Sequence, residues 1–161
     1  MTEAEFIEKF GGIYEFSPWV AEEVAAEAIA TDDLAEIASL MAECVDNAAV
    51  ERQLALIRAH PDLAGKAQVA GELTADSTAE QASAGLDQCS AEEYAQFQDL
   101  NMRYKEKFGF PFVMAVRASS RAEILAAFAA RLENNAATEF ETALQEIHKI
   151  AELRLQAMPS T

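Results

Sequence analysis

The sequence predicts an all-α protein, and three features carry that reading. Alanine is abundant while Gly and Pro number only 6 and 4, so much favours a helix and little interrupts one. Ser or Thr stands three residues before a glutamate at Ser77–Glu80, Ser90–Glu93, Ser120–Glu123 and Thr138–Glu141; each has the form of a capping box, in which the two side chains satisfy each other's free backbone donors. Only Phe110–Val116, FPFVMAV, reads as extended and buried, and with no second such run it has no strand to pair with. The expectation is a single compact bundle of about seven to eight helices with one short extended apolar connector, making one domain over residues 1–161,.

Element by element, Ser17-Pro18 supplies a cap residue and a first-turn proline for a helix whose inner face is Val20, Val24 and Ala28,. A second helix begins near Thr31-Asp32 with Leu34, Ile37, Met41 and Cys44 or Val45 as its stripe,. A third carries Val50, Leu54 and Ile57 and stops at His60-Pro61, because a residue before proline is pushed toward extended geometry. After a polar loop containing Gly65 and Gly71, the Ser77 box opens a further helix. The Ser90 box opens a long one, with Tyr94, Phe97, Asn101, Tyr104 and Phe108 near one face and Gly109 at its end,. The last two helices start at Ser120 and Thr138, separated by Asn134-Asn135.

Composition narrows the function. Twelve Lys plus Arg against 28 Asp plus Glu give a formal charge of −16, a field that repels phosphate backbones and anionic lipid surfaces, so neither nucleic acid nor membrane is the expected partner. An anionic small substrate would be repelled too, unless basic residues were concentrated where it binds. Cys44 and Cys89 are the only cysteines and have neither metal-ligand spacing nor a disulfide framework, which suits reduced thiols. The acidic N-terminus MTEAEFIEKF lacks the apolar core of a signal peptide, no apolar run approaches ~20 residues, and MPST is not a peroxisomal tripeptide,. A cytoplasmic protein is expected.

Rotation at about 100° per residue places one charge inside. With Phe140 as zero, Leu144, Ile147, Ala151 and Arg154 all fall within about 40° of it, so Arg154 points inward. A guanidinium cannot be deprotonated and is costly to bury alone. It must meet a protein carboxylate, a bound anion or solvent at a cleft, and pattern alone favours the carboxylate. His148 lies about 80° from that centre by the same rotation and reads as an ordinary boundary residue. His60 reads as a helix-ending imidazole bonding the last carbonyls of its helix, or as a group facing a pocket. Ser77 and Glu80 read first as a cap. The two histidines begin no metal-ligand motif, and there is no phosphate loop, GxSxG elbow or dinucleotide fingerprint.

Several strings occur in one order: FGGIYEFSPWVAEEV, AHPDLAGKA, LTADSTAEQASAGLD, FQDLNMRYKEKFGFPFVMAV and ALQEIHKIAELRL. Together, over about Phe6 to Leu155, they resemble the 2-oxo-4-hydroxy-4-carboxy-5-ureidoimidazoline (OHCU) decarboxylase family. The resemblance implies the last step from urate to (S)-allantoin, no metal or organic cofactor, a small anionic substrate and an all-helical homodimer. It places the catalytic histidine of HPDLAGK on His60 and the active-site glutamate on Glu80. Ser77 and Gln81 take neighbouring substrate-contacting positions, and Arg154 is the arginine of the closing motif. Pro61 beside the histidine, and Phe110, Phe112, Val113 and Ala115 of the connector, complete the expected substrate contacts, since an unpaired extended segment must bond to something.

The implied chemistry suits these residue types. The substrate carries a hydroxyl and a carboxylate on one carbon beside a C=N bond that can take the electrons released as CO2 leaves. Arg154 would fix an anionic or carbonyl edge by a fork of hydrogen bonds. His60 and Glu80 would steer the protons, and Ser77 and Gln81 would orient the ureido group. Two other readings stand beside this one: a helical interaction module in which these residues are structural, and a family member acting on a related ureido or imidazoline acid.

Overall fold

The computed structural model describes residues 1–65 and 71–159. Among these lie eight α-helices and no strand: α1 Glu3–Phe10, α2 Trp19–Ala28, α3 Leu34–Asp46, α4 Val50–Arg58, α5 Ala75–Ser83, α6 Ala91–Phe108, α7 Arg121–Leu132 and α8 Ala136–Ala157, with a 3-10 turn at Leu86–Gln88. The class is all-α, as expected. Residues 66–70 of the polar loop, and the Ser160 and Thr161 of MPST, lie outside the described residues. The chain sorts into two compact units, Met1–His60 with Ile147–Thr161, and Pro61–Glu146, so α8 contributes its first half to one and its second half to the other.

In the first unit, α1 has a start that the reading of the N-terminus as merely acidic overlooks. Thr2 and Glu5 form a reciprocal capping box, Glu5 N–H to Thr2 Oγ1 at 3.1 Å and Thr2 N–H to Glu5 Oε2 at 2.8 Å,. Its inner residues Phe6 and Phe10 pack ring on ring, centroids 4.6 Å apart. At α2 the expected Ser17 cap is not made. The Ser17 hydroxyl donates instead to the Glu15 carbonyl at 2.9 Å, and Pro18 itself occupies the cap position without a side-chain bond. The hydroxyl thus tightens the turn before the helix, in which Phe16 has left-handed φ of 45°. Asp33 caps α3. Val20, Val24, Ala28, Ile37, Met41, Val45, Leu56 and Ile57 are all buried, each large aliphatic among them contributing about 1.5–3 kcal/mol of burial.

In the second unit, the boxes at Ser90 and Ser120 are both formed and Gly109 ends α6 in the left-handed conformation, φ 78°. Two expected starts move three residues upstream. Thr74, not Ser77, caps α5, accepting from Ser77 N–H at 3.2 Å, and Asn135, not Thr138, accepts from Thr138 N–H at 2.8 Å at the head of α8. Both are good cap residues already in place, and starting one turn earlier adds backbone hydrogen bonds. Phe110–Val116 runs without ladder partners, as expected. Its apolar side chains join an aromatic core around Tyr104: Phe112 meets Tyr104 edge-on at 5.4 Å and stacks on Phe128 at 3.9 Å and 9°,.

Candidate functional site

His60 stands just past α4, after the C-cap residue Ala59. Its backbone N–H still bonds the Ile57 carbonyl, at 3.2 Å, before Pro61 stops the helix,. The ring is buried, and its Nδ1 lies 3.0 Å from the Leu56 carbonyl. A carbonyl only accepts, so Nδ1 carries the proton and Nε2 keeps its lone pair. The helix-end reading is therefore correct for one nitrogen and leaves the other suited to act as a base. Burial lowers the imidazole pKa to about 4; the Leu56 carbonyl and the Glu15 carboxylate oppose that shift and the Arg154 guanidinium assists it,. The ring is neutral at ordinary pH.

Arg154 is turned inward, as the rotation of α8 requires, and is 4% exposed. The residue it meets is Glu15. Nη2 lies 3.0 Å from Glu15 Oε2, and Nη1 reaches the carbonyls of Gly12 and Ile13 at 3.4 and 3.3 Å. The first unit thus holds a neutral histidine within the field of a buried glutamate–arginine pair. Sequence reasoning missed Glu15; the signal available was its place in FGGIYEFSPW, one of the recognised strings.

The second unit holds Pro61, Ser77, Glu80, Gln81 and the connector. Ser77, Glu80 and Gln81 stand at i, i+3 and i+4 on α5, hence on one face; Ser77 and Gln81 are buried and Glu80 is half-buried. Gln81 has work that its assignment as a substrate contact did not anticipate. Its Oε1 accepts from Ala64 N–H at 2.9 Å and its Nε2 donates to the Asp62 carbonyl at 3.1 Å. Gln98 donates to the Ala64 carbonyl at 2.8 Å and Asn101 to that of Leu63 at 3.0 Å, while Lys105 pairs with Asp62 at 2.7 Å. Three amides therefore clamp the Asp62–Ala64 backbone, including Ala64 in a left-handed conformation, φ 50°. Such strain persists only where surroundings over-determine it.

On the connector, Phe110, Phe112 and Val113 are buried and Ala115 half-buried. Two backbone groups find partners within the unit: the Val113 carbonyl accepts from Arg131 Nη1 at 2.6 Å, and Ala115 N–H donates to Glu146 Oε1 at 3.2 Å. Arg131 in turn covers the Phe112 ring at 4.3 Å and bonds the fully buried Glu139 at 2.8 Å, which also accepts from Tyr104 at 2.6 Å and Asn134 at 2.9 Å. This network ties the connector to α7 and α8. Among the described residues no group of three or more His, Cys, Asp and Glu is placed to hold a metal ion, and no helix is long and apolar enough to cross a membrane.

A sequence model of the family described as OHCU decarboxylase matches residues 1–156. The chain belongs to the OHCU decarboxylase family. Among family relatives, it is 48% identical over 155 residues to a 2-oxo-4-hydroxy-4-carboxy-5-ureidoimidazoline decarboxylase of Haloferax volcanii, covering 96% of this chain and 89% of that one. A crystal structure of OHCU decarboxylase in the presence of (S)-allantoin superposes with a TM-score of 0.65 at 28% identity, covering 83% of this chain and 87% of that chain. A crystal structure of (S)-allantoin synthase gives 0.77 at 31% identity over 98% of this chain; the chain spans half the length of that protein.

Proposed function

We propose that this chain decarboxylates 2-oxo-4-hydroxy-4-carboxy-5-ureidoimidazoline to (S)-allantoin and carbon dioxide, the last step of urate-to-allantoin conversion. It is a carboxy-lyase of the OHCU decarboxylase family. The observation that carries this is the family match over residues 1–156, and the chemistry of His60 and Arg154 is compatible with it. As the C–COO⁻ bond breaks, its electron pair runs toward the adjacent carbon and into the C=N bond, whose nitrogen takes a proton. The resulting enol loses its hydroxyl proton and gains one at the neighbouring carbon, giving the ring amide carbonyl of allantoin. Delivery to one face of that carbon sets the S configuration.

The roles follow from residue chemistry and from the resemblance. His60, neutral and with its lone pair on Nε2, is suited to take the hydroxyl proton, a service of about 10²–10⁴-fold when the base is positioned. Glu80 is the second proton-handling group. Arg154 anchors an anionic or carbonyl edge of the substrate, sharing its guanidinium with Glu15,. That local cation offsets the repulsion expected from a chain of charge −16,. Ser77 and Gln81 orient the ureido group, Gln81 also holding the loop that follows His60. Pro61 and the connector residues Phe110, Phe112, Val113 and Ala115 are the further substrate contacts that the resemblance implies. The match spans residues of both units, which supports a single OHCU decarboxylase-like domain. We also propose a cytoplasmic homodimer that needs neither metal nor organic cofactor.

The test is circular dichroism of urate oxidised by uricase and a hydroxyisourate hydrolase, with and without this protein. One optically active allantoin should appear faster with the protein and be unaffected by chelators. A racemic product forming at the spontaneous rate overturns the decarboxylase reading and leaves two others, an interaction module and a family member acting on a related ureido or imidazoline acid. Activity abolished by a chelator and restored by metal overturns the cofactor-free one.

A further inference from the structure

His148, one of two histidines in the chain, is not the ordinary boundary residue its position on α8 suggests. Its Nδ1 lies 2.8 Å from the Tyr14 hydroxyl and its Nε2 2.9 Å from Asp46 Oδ1. An ionised carboxylate only accepts, so Nε2 carries the proton of the neutral ring, and Nδ1 accepts from the phenol. The chain of donation runs Tyr14 to His148 to Asp46.

Such an array could activate the tyrosine or hold its loop, and the structure decides between the two. Burial first, then the Asp46 carboxylate, raises the Tyr14 pKa far above its usual value, so the phenol stays protonated and is no nucleophile. The adjoining cavity, walled by Tyr14, Met41, Ala42, His148, Glu152 and Leu155, is about 90 Å³, room for about three waters and too small for an organic substrate. What remains is position. Tyr14 is next to Glu15, in the segment between α1 and α2 that also presents the Gly12 and Ile13 carbonyls to Arg154. His148 and Arg154 are both on α8, six residues and hence about 9 Å apart along its axis. The segment is fastened to the helix at two points. One is the glutamate–arginine pair, and the other is the tyrosine–histidine bond, braced from α3 by Asp46.

We propose that Tyr14, His148 and Asp46 are positioning residues for the decarboxylation, holding the 11–17 segment in register with α8 so that Glu15 sets the Arg154 guanidinium toward substrate. This rests on the anchoring role of Arg154. A backbone segment containing Phe16 in a left-handed conformation does not keep its register without such constraints.

The experiment compares the native protein with Tyr14→Phe, which keeps the buried ring and removes only the hydroxyl, and with Asp46→Ala, whose side chain is more than half exposed so that folding is preserved. Nitrogen-15 NMR of the imidazoles should show His148 as the Nε2–H tautomer in the native protein and a mixture in both variants. Steady-state decarboxylation should show KM raised at least fivefold in Tyr14→Phe with kcat within about twofold, and a smaller KM rise in Asp46→Ala. Native His148 protonated on Nδ1 overturns the proposal, as does an unchanged KM in Tyr14→Phe accompanied only by a lower Tm. If the native protein does not accelerate the reaction, the decarboxylase reading falls and this proposal with it. If it does and Tyr14→Phe keeps its KM, only this proposal falls.

Discussion

Replacing Arg154 by methionine separates what the buried pair does for the fold from what it does for substrate. The side chains of Arg154 and Glu15 are 3% and 2% exposed, so Arg154→Met keeps the apolar stem and takes this cation away from a carboxylate that water barely reaches. Breaking a buried pair in this way costs about 3–5 kcal/mol. For a chain of this size each kcal/mol lowers Tm by about 2–4 °C, so a fall of roughly 6–20 °C is expected. The double variant Glu15→Gln/Arg154→Met carries neither charge of the pair and should regain most of the loss. Urea unfolding followed by circular dichroism measures both variants. A single variant within about 0.5 kcal/mol of native, or a double variant no better than the single, would refute the buried-pair account. The ligand arm is separate: saturating (S)-allantoin, at a hundredfold excess over its dissociation constant, should stabilise the native protein by about 2.7 kcal/mol and neither variant. A variant that melts lower yet responds fully to allantoin removes Arg154 from substrate binding.

Other outcomes follow from the same geometry. His60→Asn should fold and lose ~10²-fold or more in turnover; near-normal turnover leaves His60 with only its helix-end bond to Leu56. His60 also has a pH signature. Its folded pKa, about 4, is below the unfolded value of about 6.5, so between these the unfolded chain binds more protons and stability falls as pH drops through that window. The loss approaches about 3 kcal/mol, and His60→Asn should abolish it when the two urea midpoints are compared at pH 7 and 4.5. Glu80→Gln should impair turnover while leaving Tm near native, whereas Thr74→Ala, which removes the actual α5 cap, should lower stability by about 1 kcal/mol. Gln81→Leu should unfix Asp62 and Ala64 and reduce both turnover and stability; full activity in that variant would show that neither the loop nor the ureido group needs the Gln81 amide.

Local rules made much of this protein legible without coordinates. The boxes at Ser90 and Ser120, the left-handed Gly109 and the stop at His60-Pro61 depend on residues three or four apart. Helical rotation was enough to turn Arg154 inward. The unpaired run Phe110–Val116 was visible because nothing else in the sequence could pair with it. Where two cap candidates stood three residues apart, as Thr74 and Ser77 or Asn135 and Thr138, the same rules were nearly degenerate, and the extra turn of hydrogen bonds decided. The partners of the buried polar groups belong to tertiary structure alone. Glu15 meets Arg154, and Tyr14 meets His148, across more than a hundred residues, and Gln81, Gln98 and Asn101 converge on Asp62–Ala64 from two helices. The sequence requires that an inward guanidinium be compensated and that a buried amide be bonded. Which carboxylate and which carbonyl do so depends on where packing brings distant segments, and no short-range periodicity carries that information.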